Sequence, residues 1–257
     1  MANGQWLKAK KNMANLIVDE GNTLCKIAVM DKSEVLCEMV APEFDMAQVA
    51  EAVERYGVEQ AVVASTRGGA EHICERLRSK IAKVLHFTSL TEVPIAVDYA
   101  SRQTLGTDRI AVAVGVVCGM GIDDALIVDM GSAITFDVVE DGAFKGGNIS
   151  LGVAMRFRAL NEFTASLPLC SATEPNEGFG ASTKEAIEQG VMQGVLYEIE
   201  GYAERILKKN REKSIIFCGG DAESFVNRIK NAIFAPRKLM FTGLNLILEY
   251  NVSKNNI

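Results

Sequence analysis

The sequence predicts an α/β protein made of two related halves, and three observations favour this fold class. One six-residue segment recurs, apolar strand patterns alternate with helical periodicity, and 257 residues are enough for two domains. Hydrophobic residues are 48% and charged residues 23% of the chain, values typical of globular proteins. The net charge of -6 argues against a nucleic-acid-binding surface as the main function.

The recurring segment reads LIVDEG at residues 16–21 and LIVDMG at residues 126–131. Each copy indicates a buried strand, a tight turn and a second strand. Glycine in such a turn lets backbone N–H groups approach phosphate oxygens, and an aspartate at the strand end can hold a hydrated cation. A single copy would be read as a simple turn. Two copies favour a pair of hairpins that bind a nucleotide's phosphates from both sides of a cleft.

Strand and helix patterns then alternate along both halves, which predicts sheets with largely covered faces. In the first half we predict strands at 25–30, 58–65 and 84–87, and a helix at 71–84. In the second half we predict strands at 134–139 and 214–218, and helices at 110–118, 184–208 and 222–230. Ser182 and Glu185 form a capping box before the long helix, in which Ile187, Val191, Val195 and Ile199 lie four apart.

Cysteine and histidine usage argues against a metal centre built from those residues. The six cysteines have no metal-binding spacing, and only two histidines are present. The longest uncharged apolar run, residues 110–122, is too short to cross a bilayer, and the N-terminus has no apolar signal segment. These patterns predict reduced thiols in a cytoplasmic protein.

Five motifs, in this order and spacing, carry a resemblance to a known family. They are DEGNTLCK at 19–26, GTDR at 106–109 with Tyr99 seven residues before its glycine, DMGSAIT at 129–135, GGNISLG at 146–152, and Thr183 at the start of the long helix. The chain is similar to the type III pantothenate kinases of the actin-like, sugar-kinase and heat-shock ATPase superfamily. The corresponding family patterns are D-x-G-N-T-x-x-K, G-x-D-R, D-x-G-T-A-x-T and G-G-x-I-x-x-G.

The resemblance implies two ribonuclease-H-like (actin-like ATPase) domains that arise from duplication and flank a cleft. We expect them at residues 13–117 and 118–257, with 1–12 as an N-terminal extension and Met13 near the functional start. The implied activity is ATP-dependent phosphorylation of pantothenate to 4'-phosphopantothenate, the first step of coenzyme A biosynthesis. The family is dimeric, with its substrate pocket near the subunit interface. We therefore expect a homodimer, and Gly190 and Gly194 form a small-residue face suited to close helix packing.

For the nucleotide, the resemblance implies that the first hairpin and the second hairpin's hydroxyl hold the phosphates of ATP. The expected ATP-binding residues are Asp19, Glu20, Gly21, Asn22, Thr23, Leu24, Cys25, Lys26 and Ser132. Asp19 is expected to anchor Mg²⁺, mainly through water, because Mg²⁺ keeps much of its hydration shell. Asp129 is expected to hold a monovalent cation, K⁺ or ammonium.

For the acceptor, the resemblance implies that Asp108 is the general base and that its neighbour Arg109 keeps it ionised. The expected substrate-binding residues are Tyr99, Gly106, Thr107, Asp108, Arg109 and Thr183. Without the resemblance, Asp108 would be read as an aspartate that favours a helix N-terminus. Thr183 could equally be an early residue of the capping box.

The chain departs from the family pattern at Glu20, Ser132, Leu151 and Cys218. Glu20 brings a carboxylate next to the phosphate site, or else points to the opposite strand face from Asp19. Two other functions remain open at this stage: a kinase or phosphatase of the same superfamily that acts on another small molecule, and a non-enzymatic accessory regulator. The missing DNA-binding motif counts against the regulator, and GTDR with Tyr99 favours pantothenate.

Overall fold

The structure, a computed structural model, describes residues 14–176, 178–209, 212–235 and 238–257. The expected N-terminal extension, residues 1–12, lies outside this part. The chain divides into two compact units: unit 1 takes the residues up to 92 together with 244–257, and unit 2 takes 93–243. The proposed division of the duplicated halves between residues 117 and 118 stays a prediction. No helix in the described residues is long and apolar enough to cross a membrane.

Unit 1 contains a five-stranded sheet in the order β3-β2-β1-β4-β5. Its strands are β1 (Asn15–Glu20), β2 (Cys25–Asp31), β3 (Glu34–Ala41), β4 (Gln60–Ser65) and β5 (Lys83–His86). Its helices are α1 (Met46–Tyr56) and α2 (Ala70–Arg78). β1 pairs antiparallel with β2 and parallel with β4. The middle strand is therefore enclosed on both edges, which suits its almost wholly buried sequence.

Unit 2 contains a second sheet with the equivalent order, β8-β7-β6-β9-β10. Its strands are β6 (Ala125–Met130), β7 (Ala133–Glu140), β8 (Ala143–Leu151), β9 (Ser214–Cys218) and β10 (Ala232–Phe234). Its helices are α3 (Thr107–Val114), α4 (Val153–Glu162), α5 (Thr183–Lys209) and α6 (Glu223–Val226), and α7 (Lys238–Ser253) begins in unit 2 and ends in unit 1. The shared strand order confirms the predicted ribonuclease-H-like fold class.

The recurring segment occupies equivalent places in the two sheets. Asp19 lies near the end of β1 and pairs with Lys26 of β2. Asp129 lies near the end of β6 and pairs with Thr135 of β7. Each aspartate is thus one residue from the end of the middle strand, beside a tight turn into its antiparallel neighbour. The repeated sequence therefore marks a repeated hairpin, as predicted.

The helices cover their sheets through the periodic apolar residues. In unit 2, the four residues spaced along α5 are buried against the sheet: Ile187, Val191, Val195 and Ile199. The capping box is formed in part as predicted, since Glu185 N donates to Ser182 Oγ at 3.3 Å. The Glu185 carboxylate accepts instead from Ala181 N at 2.8 Å.

Three predicted helices differ from the observed ones. The helix predicted at 71–84 is observed as α2, which ends at Arg78. Ile81 and Val84 are buried as the apolar spacing predicted, but Ile81 lies in the turn after α2 and Val84 lies in β5. The helix predicted at 222–230 is only the short α6, although Phe225 and Ile229 are buried at helical spacing. The helix predicted at 110–118 is α3 followed by a π-helical turn. The apolar spacing therefore predicted which residues are buried, but it did not predict where each helix ends.

The helix α3, which carries the GTDR motif, packs closely against α7. A Cβ atom on Gly243 of α7 would lie 1.8 Å from the carbonyl oxygen of Ala111, so a side chain has no room there. A Cβ on Gly115, just after α3, would lie 2.7 Å from the carbonyl oxygen of Leu239. Two glycines thus bring the two helix backbones together and fix the position of α3 in unit 2.

Candidate active site

The first hairpin presents an exposed loop above a buried carboxylate. Gly21 N donates to Leu24 O at 3.0 Å, which closes the turn between β1 and β2. The side chains of Asn22, Thr23 and Leu24 are exposed, whereas Asp19 is 6% exposed. Open backbone groups over a charged strand end suit the binding of a phosphate chain and its hydrated cation.

Two residues of the predicted ATP-binding segment have surroundings that the sequence did not specify. The Cys25 side chain is fully buried, so only its backbone could face a ligand. Burial, together with the charges of Glu20 and Asp19, raises the pKa of the Cys25 thiol to about 11. The Glu20 carboxylate accepts a hydrogen bond from Ser65 Oγ of β4 at 2.6 Å. Lys26, also in this segment, is exposed on β2.

The second hairpin is packed against two glycine-containing loops. Gly131 N donates to Ala133 O at 3.0 Å, and Gly152 N donates to Ser132 O at 3.2 Å. A Cβ on Gly152 would lie 2.3 Å from that oxygen. Because Gly152 is the N-cap of α4, the start of this helix lies directly on the hairpin. A helix start adds N–H donors and positive potential to a phosphate site.

On the other side of the same hairpin, the loop after β9 approaches the end of β6. Gly219 has a φ of +91°, and a Cβ there would lie 2.4 Å from the Met130 carbonyl oxygen. Asp221 N donates to that oxygen at 3.2 Å. Only glycine satisfies both the left-handed backbone and the close approach. Asp129 and Ser132 therefore belong to one cluster of three loops within unit 2.

The GTDR motif forms the start of α3. Gly106 is the N-cap residue, and Asp108 lies in the first turn, where its Oδ1 accepts from Arg109 N at 2.8 Å. A Cβ on Gly106 would lie 2.4 Å from this oxygen, which explains the glycine. Asp108 is thus at a helix N-terminus, as its sequence alone suggested, and it is also partly exposed. The two interpretations of Asp108 are compatible.

The Arg109 side chain is bound by a residue that the sequence analysis missed. Its guanidinium is 7% exposed and donates from Nε to both carboxylate oxygens of Asp137, at 2.9 and 3.1 Å, with a further contact from Nη2. Thr135 Oγ1 also donates to Asp137, at 3.1 Å. We expected the Arg109 side chain to support Asp108, but it supplies only its backbone N–H to that residue. The signal for Asp137 was an aspartate inside the apolar strand AITFDVVE.

Tyr99 lies in the same cluster, as the motif predicted. The guanidinium carbon of Arg109 is 5.8 Å from the centre of the Tyr99 ring and 5.6 Å from that of Phe144, a cation–π arrangement. Backbone hydrogen bonds attach the Tyr99 segment to β8, because Asp98 N donates to Phe144 O at 2.9 Å. The structure therefore brings Tyr99, Gly106, Thr107, Asp108 and Arg109 together in unit 2.

The first two glycines of the GGNISLG motif make room for this cluster. Gly146 has a φ of +111°, and a Cβ there would lie 3.4 Å from the Tyr99 ring. A Cβ on Gly147 would lie 2.4 Å from Asp137 Oδ1 and 2.1 Å from the Phe136 carbonyl oxygen. A side chain at position 147 would therefore displace the carboxylate that binds Arg109.

The pKa values of the buried pair reflect its environment. Burial lowers the pKa of Arg109, but the hydrogen bonds and charge of Asp137 more than offset this effect and raise it above its ordinary value. Burial raises the pKa of Asp137, Arg109 and Thr135 oppose that rise, and the charge of Asp108 adds to it. Asp108 is therefore close enough to Asp137 for the two carboxylates to interact.

Thr183 lies elsewhere in unit 2. It is the first residue of α5, is exposed, and lines an apolar cavity of about 850 Å³ between α4 and α5. Leu160, Phe163 and Ile187 line the same cavity. The structure thus does not group Thr183 with Tyr99 and Arg109, and its role toward a substrate stays a prediction.

Each hairpin has an aspartate that could hold one of the cations expected from the sequence. Among the described residues, no three side chains of His, Cys, Asp or Glu gather as a metal site. One carboxylate at each hairpin, Asp19 and Asp129, fits a cation that takes most of its ligands from water and from phosphate oxygens. The identity of each cation stays a prediction.

Comparisons with known proteins agree over most of the chain. A family model for type III pantothenate kinase matches residues 15–205. The type III pantothenate kinase of Phocaeicola vulgatus is 38% identical over 241 residues, which are 92% of this chain and 98% of that protein. That of Bacteroides fragilis is 38% identical over 242 residues, with the same coverage of 92% and 98%. A solved structure described as a conserved Baf family transcriptional activator from Campylobacter jejuni has a TM-score of 0.60 at 22% identity, covering 93% of this chain and 99% of that one. This last likeness concerns the fold alone.

Asp137→Asn should destabilise the protein strongly, because it leaves the buried Arg109 guanidinium without its counter-charge. We expect the free energy of unfolding to fall by about 3–5 kcal/mol, the usual cost of breaking a buried ion pair. Urea denaturation of the full chain measures it. Asp98→Asn is the matched control, since Asp98 pairs with Lys145 at the surface and such pairs contribute little. Equal stability of the two variants would contradict this role for Asp137.

Proposed function

Because the chain belongs to the type III pantothenate kinase family, we propose that it transfers the γ-phosphoryl group of ATP to the primary hydroxyl of pantothenate, with Asp108 as general base. The observation that carries the proposal is the start of α3, where the partly exposed Asp108 adjoins Arg109, whose guanidinium is fixed by Asp137 near the Tyr99 ring. The product would be 4'-phosphopantothenate, the first intermediate of coenzyme A biosynthesis, and the reaction belongs in the cytoplasm.

Phosphoryl transfer requires that charge on the phosphates be neutralised and that the nucleophile be held in line. In unit 1, the backbone N–H groups of Asn22 and Thr23 and the Lys26 ammonium would bind phosphate oxygens, while the Gly21 N–H closes the turn. Asp19 would hold Mg²⁺ through water. In unit 2, the Ser132 hydroxyl would bind phosphate, and Asp129 would hold K⁺ or ammonium. The bound cations would offset the negative charge of the phosphates and of the two aspartates.

An alcohol attacks phosphorus poorly unless its proton is accepted as the new bond forms. Asp108 would accept that proton, because its Oδ1 is held by the Arg109 backbone N–H and its carboxylate is partly exposed. Tyr99 and Gly106 would line the acceptor pocket beside it. Since the Arg109 guanidinium is committed to Asp137, its contribution to an anionic acceptor would be mainly electrostatic.

We also propose that the chain is a homodimer through the outer surface of α4, α5 and the end of β8. Several large apolar side chains are exposed there: Ile149, Leu151, Met155, Phe163 and Tyr197. Gly190 and Gly194 add a surface without side chains, since no atom lies within 4 Å of a Cβ built on either. Such a patch on a protein surface is typical of a subunit interface. The interface would lie beside Thr183 and its cavity.

A coupled ADP-release assay over a panel of small alcohols tests the substrate. We expect turnover with pantothenate and ATP and a requirement for Mg²⁺, with little turnover of hexoses or N-acetylated sugars. The panel separates pantothenate kinase from the sugar kinases that share this fold. Turnover confined to sugars, or none at all, would refute the proposal.

Asp108→Asn should lower kcat by at least about a hundredfold, the range expected for loss of a general base. Because asparagine keeps the side-chain size, KM for pantothenate should change little. Asp141→Asn, in the exposed turn after β7, is the control and should leave kcat unchanged. A near-normal kcat for Asp108→Asn would remove Asp108 from this role.

Sedimentation equilibrium tests the dimer. We expect the protein at twice the chain mass of 27.8 kDa, and Gly194→Arg at the mass of one chain, because a long charged side chain would keep the two copies apart. Glu54→Arg, an exposed charge change on α1, should remain dimeric. A wild-type protein that sediments as a monomer would contradict this assignment.

A further inference from the structure

The loop that follows β4, residues 65–69, is attached to the first hairpin by several hydrogen bonds. Thr66 N donates to the Glu20 carbonyl oxygen at 3.0 Å, and Thr66 Oγ1 donates to the same oxygen at 3.3 Å. Arg67 Nε donates to the Asn22 carbonyl oxygen at 3.1 Å. This loop therefore determines the conformation of the backbone that turns from β1 toward β2.

Hydrogen bonds of the Glu20 side chain and of Ser65 hold this loop in its conformation. Ser65 Oγ donates to Glu20 Oε2 at 2.6 Å and accepts from Arg67 N at 3.1 Å and Gly69 N at 3.3 Å. These bonds use the full hydrogen-bonding capacity of a hydroxyl. A Cβ on Gly69 would lie 2.8 Å from the Glu20 carboxylate, so a side chain at this position would displace the carboxylate from its present place. The unusual glutamate is thus a structural partner of the loop.

This arrangement fixes an arginine beside the hairpin. Arg67 is exposed, and besides its bond to Asn22 it donates from Nη1 to the Pro42 carbonyl oxygen at 3.2 Å. A guanidinium carries five N–H groups, and two of them serve these carbonyls. No carboxylate within the described ranges forms an ion pair with Arg67. The guanidinium keeps its full charge and further donors for an anion.

The excess of negative charge at the hairpin indicates a role for Arg67. Asp19 and Glu20 place two carboxylates at the end of β1, and a triphosphate adds more negative charge. Within the strands, the nearby cation is Lys26, which is the cross-strand partner of Asp19 in β2. The field of Arg67 reaches the hairpin core, because it lowers the pKa of the Cys25 thiol while Glu20 and Asp19 raise it.

We propose that Arg67 is a phosphate-binding residue, which holds the phosphate chain of the nucleotide against the first hairpin with the N–H groups that Asn22 and Pro42 leave unused. The inference rests on the proposed function, because it takes the hairpin as the nucleotide site. Arginine suits this role, since its planar fork binds phosphate oxygens by charge-assisted hydrogen bonds. The Glu20–Ser65 contact keeps the backbone of Arg67 in place.

Isothermal titration of MgATP and of adenosine into the full chain tests the proposal. For Arg67→Gln we expect the Kd of ATP to rise at least about tenfold, as for loss of a charge-assisted contact, with adenosine binding unchanged. Arg67→Lys keeps the charge and should lose less affinity. Arg76→Gln is the matched control, because Arg76 is an exposed arginine in the same unit that stacks on Phe44.

The salt dependence of binding separates a phosphate contact from a purely structural role. If Arg67 binds phosphate, raising the NaCl concentration at a fixed KCl concentration weakens ATP binding less in Arg67→Gln than in the wild type or in Arg67→Lys, since salt screens a charge that this variant lacks. Unchanged affinity in Arg67→Gln, or lost affinity with an unchanged salt dependence, would overturn the proposal. Thermal denaturation of each variant identifies losses that come from unfolding.

The same measurements separate the inference from the proposed function. A wild type that binds ATP and phosphorylates pantothenate, together with an unaffected Arg67→Gln variant, would refute only the role of Arg67. A wild type that binds no nucleotide would refute both.

Discussion

The proposed acceptor site of this protein depends on one buried ion pair, between Arg109 at the start of α3 and Asp137 in the middle of β7. Removing two charges from water is costly, and the cost is repaid only when the geometry satisfies most donors and acceptors. Here Thr135 supplies another donor to the carboxylate, and the rings of Tyr99 and Phe144 lie near the guanidinium. Asp108 is the adjacent residue, and its carboxylate accepts the Arg109 backbone N–H. The position of the proposed base therefore follows from the pair.

Glycines around this pair show why the motifs have the residues they do. Gly106 leaves space for the Asp108 carboxylate, and Gly147 leaves space for that of Asp137. Gly152 and Gly219 let two further loops approach the second hairpin at distances that no side chain permits. These glycines lie in separate segments, yet each one removes a Cβ that would push a functional group away. Close backbone approach, rather than flexibility, is the physical requirement that they share.

The sequence was sufficient for the fold class, for the two hairpins and for the grouping of Tyr99 with the GTDR motif, because each has a local signature. The LIVD-x-G repeat marks Asp19 and Asp129, and the strand order around them is equivalent in the two sheets. The ends of α2 at Arg78 and of α6 at Val226 could not be predicted from the sequence, because the apolar spacing continues through the residues that follow. Asp137 was missed because its role depends on an arginine 28 positions away. Long-range pairing leaves no local periodicity.

The two hairpins each place a carboxylate at a strand end, but the residues that surround them differ. The second is surrounded by backbone: the start of α4 and the loop after β9 bring N–H groups and close carbonyl contacts to it. The first is contacted by the loop after β4, in which Gly69 approaches the extra carboxylate of Glu20. A carboxylate there is tolerable because Ser65 binds it and because the loop that Ser65 organises carries Arg67. A carboxylate in β1 and an arginine after β4 thus depend on each other through one serine hydroxyl.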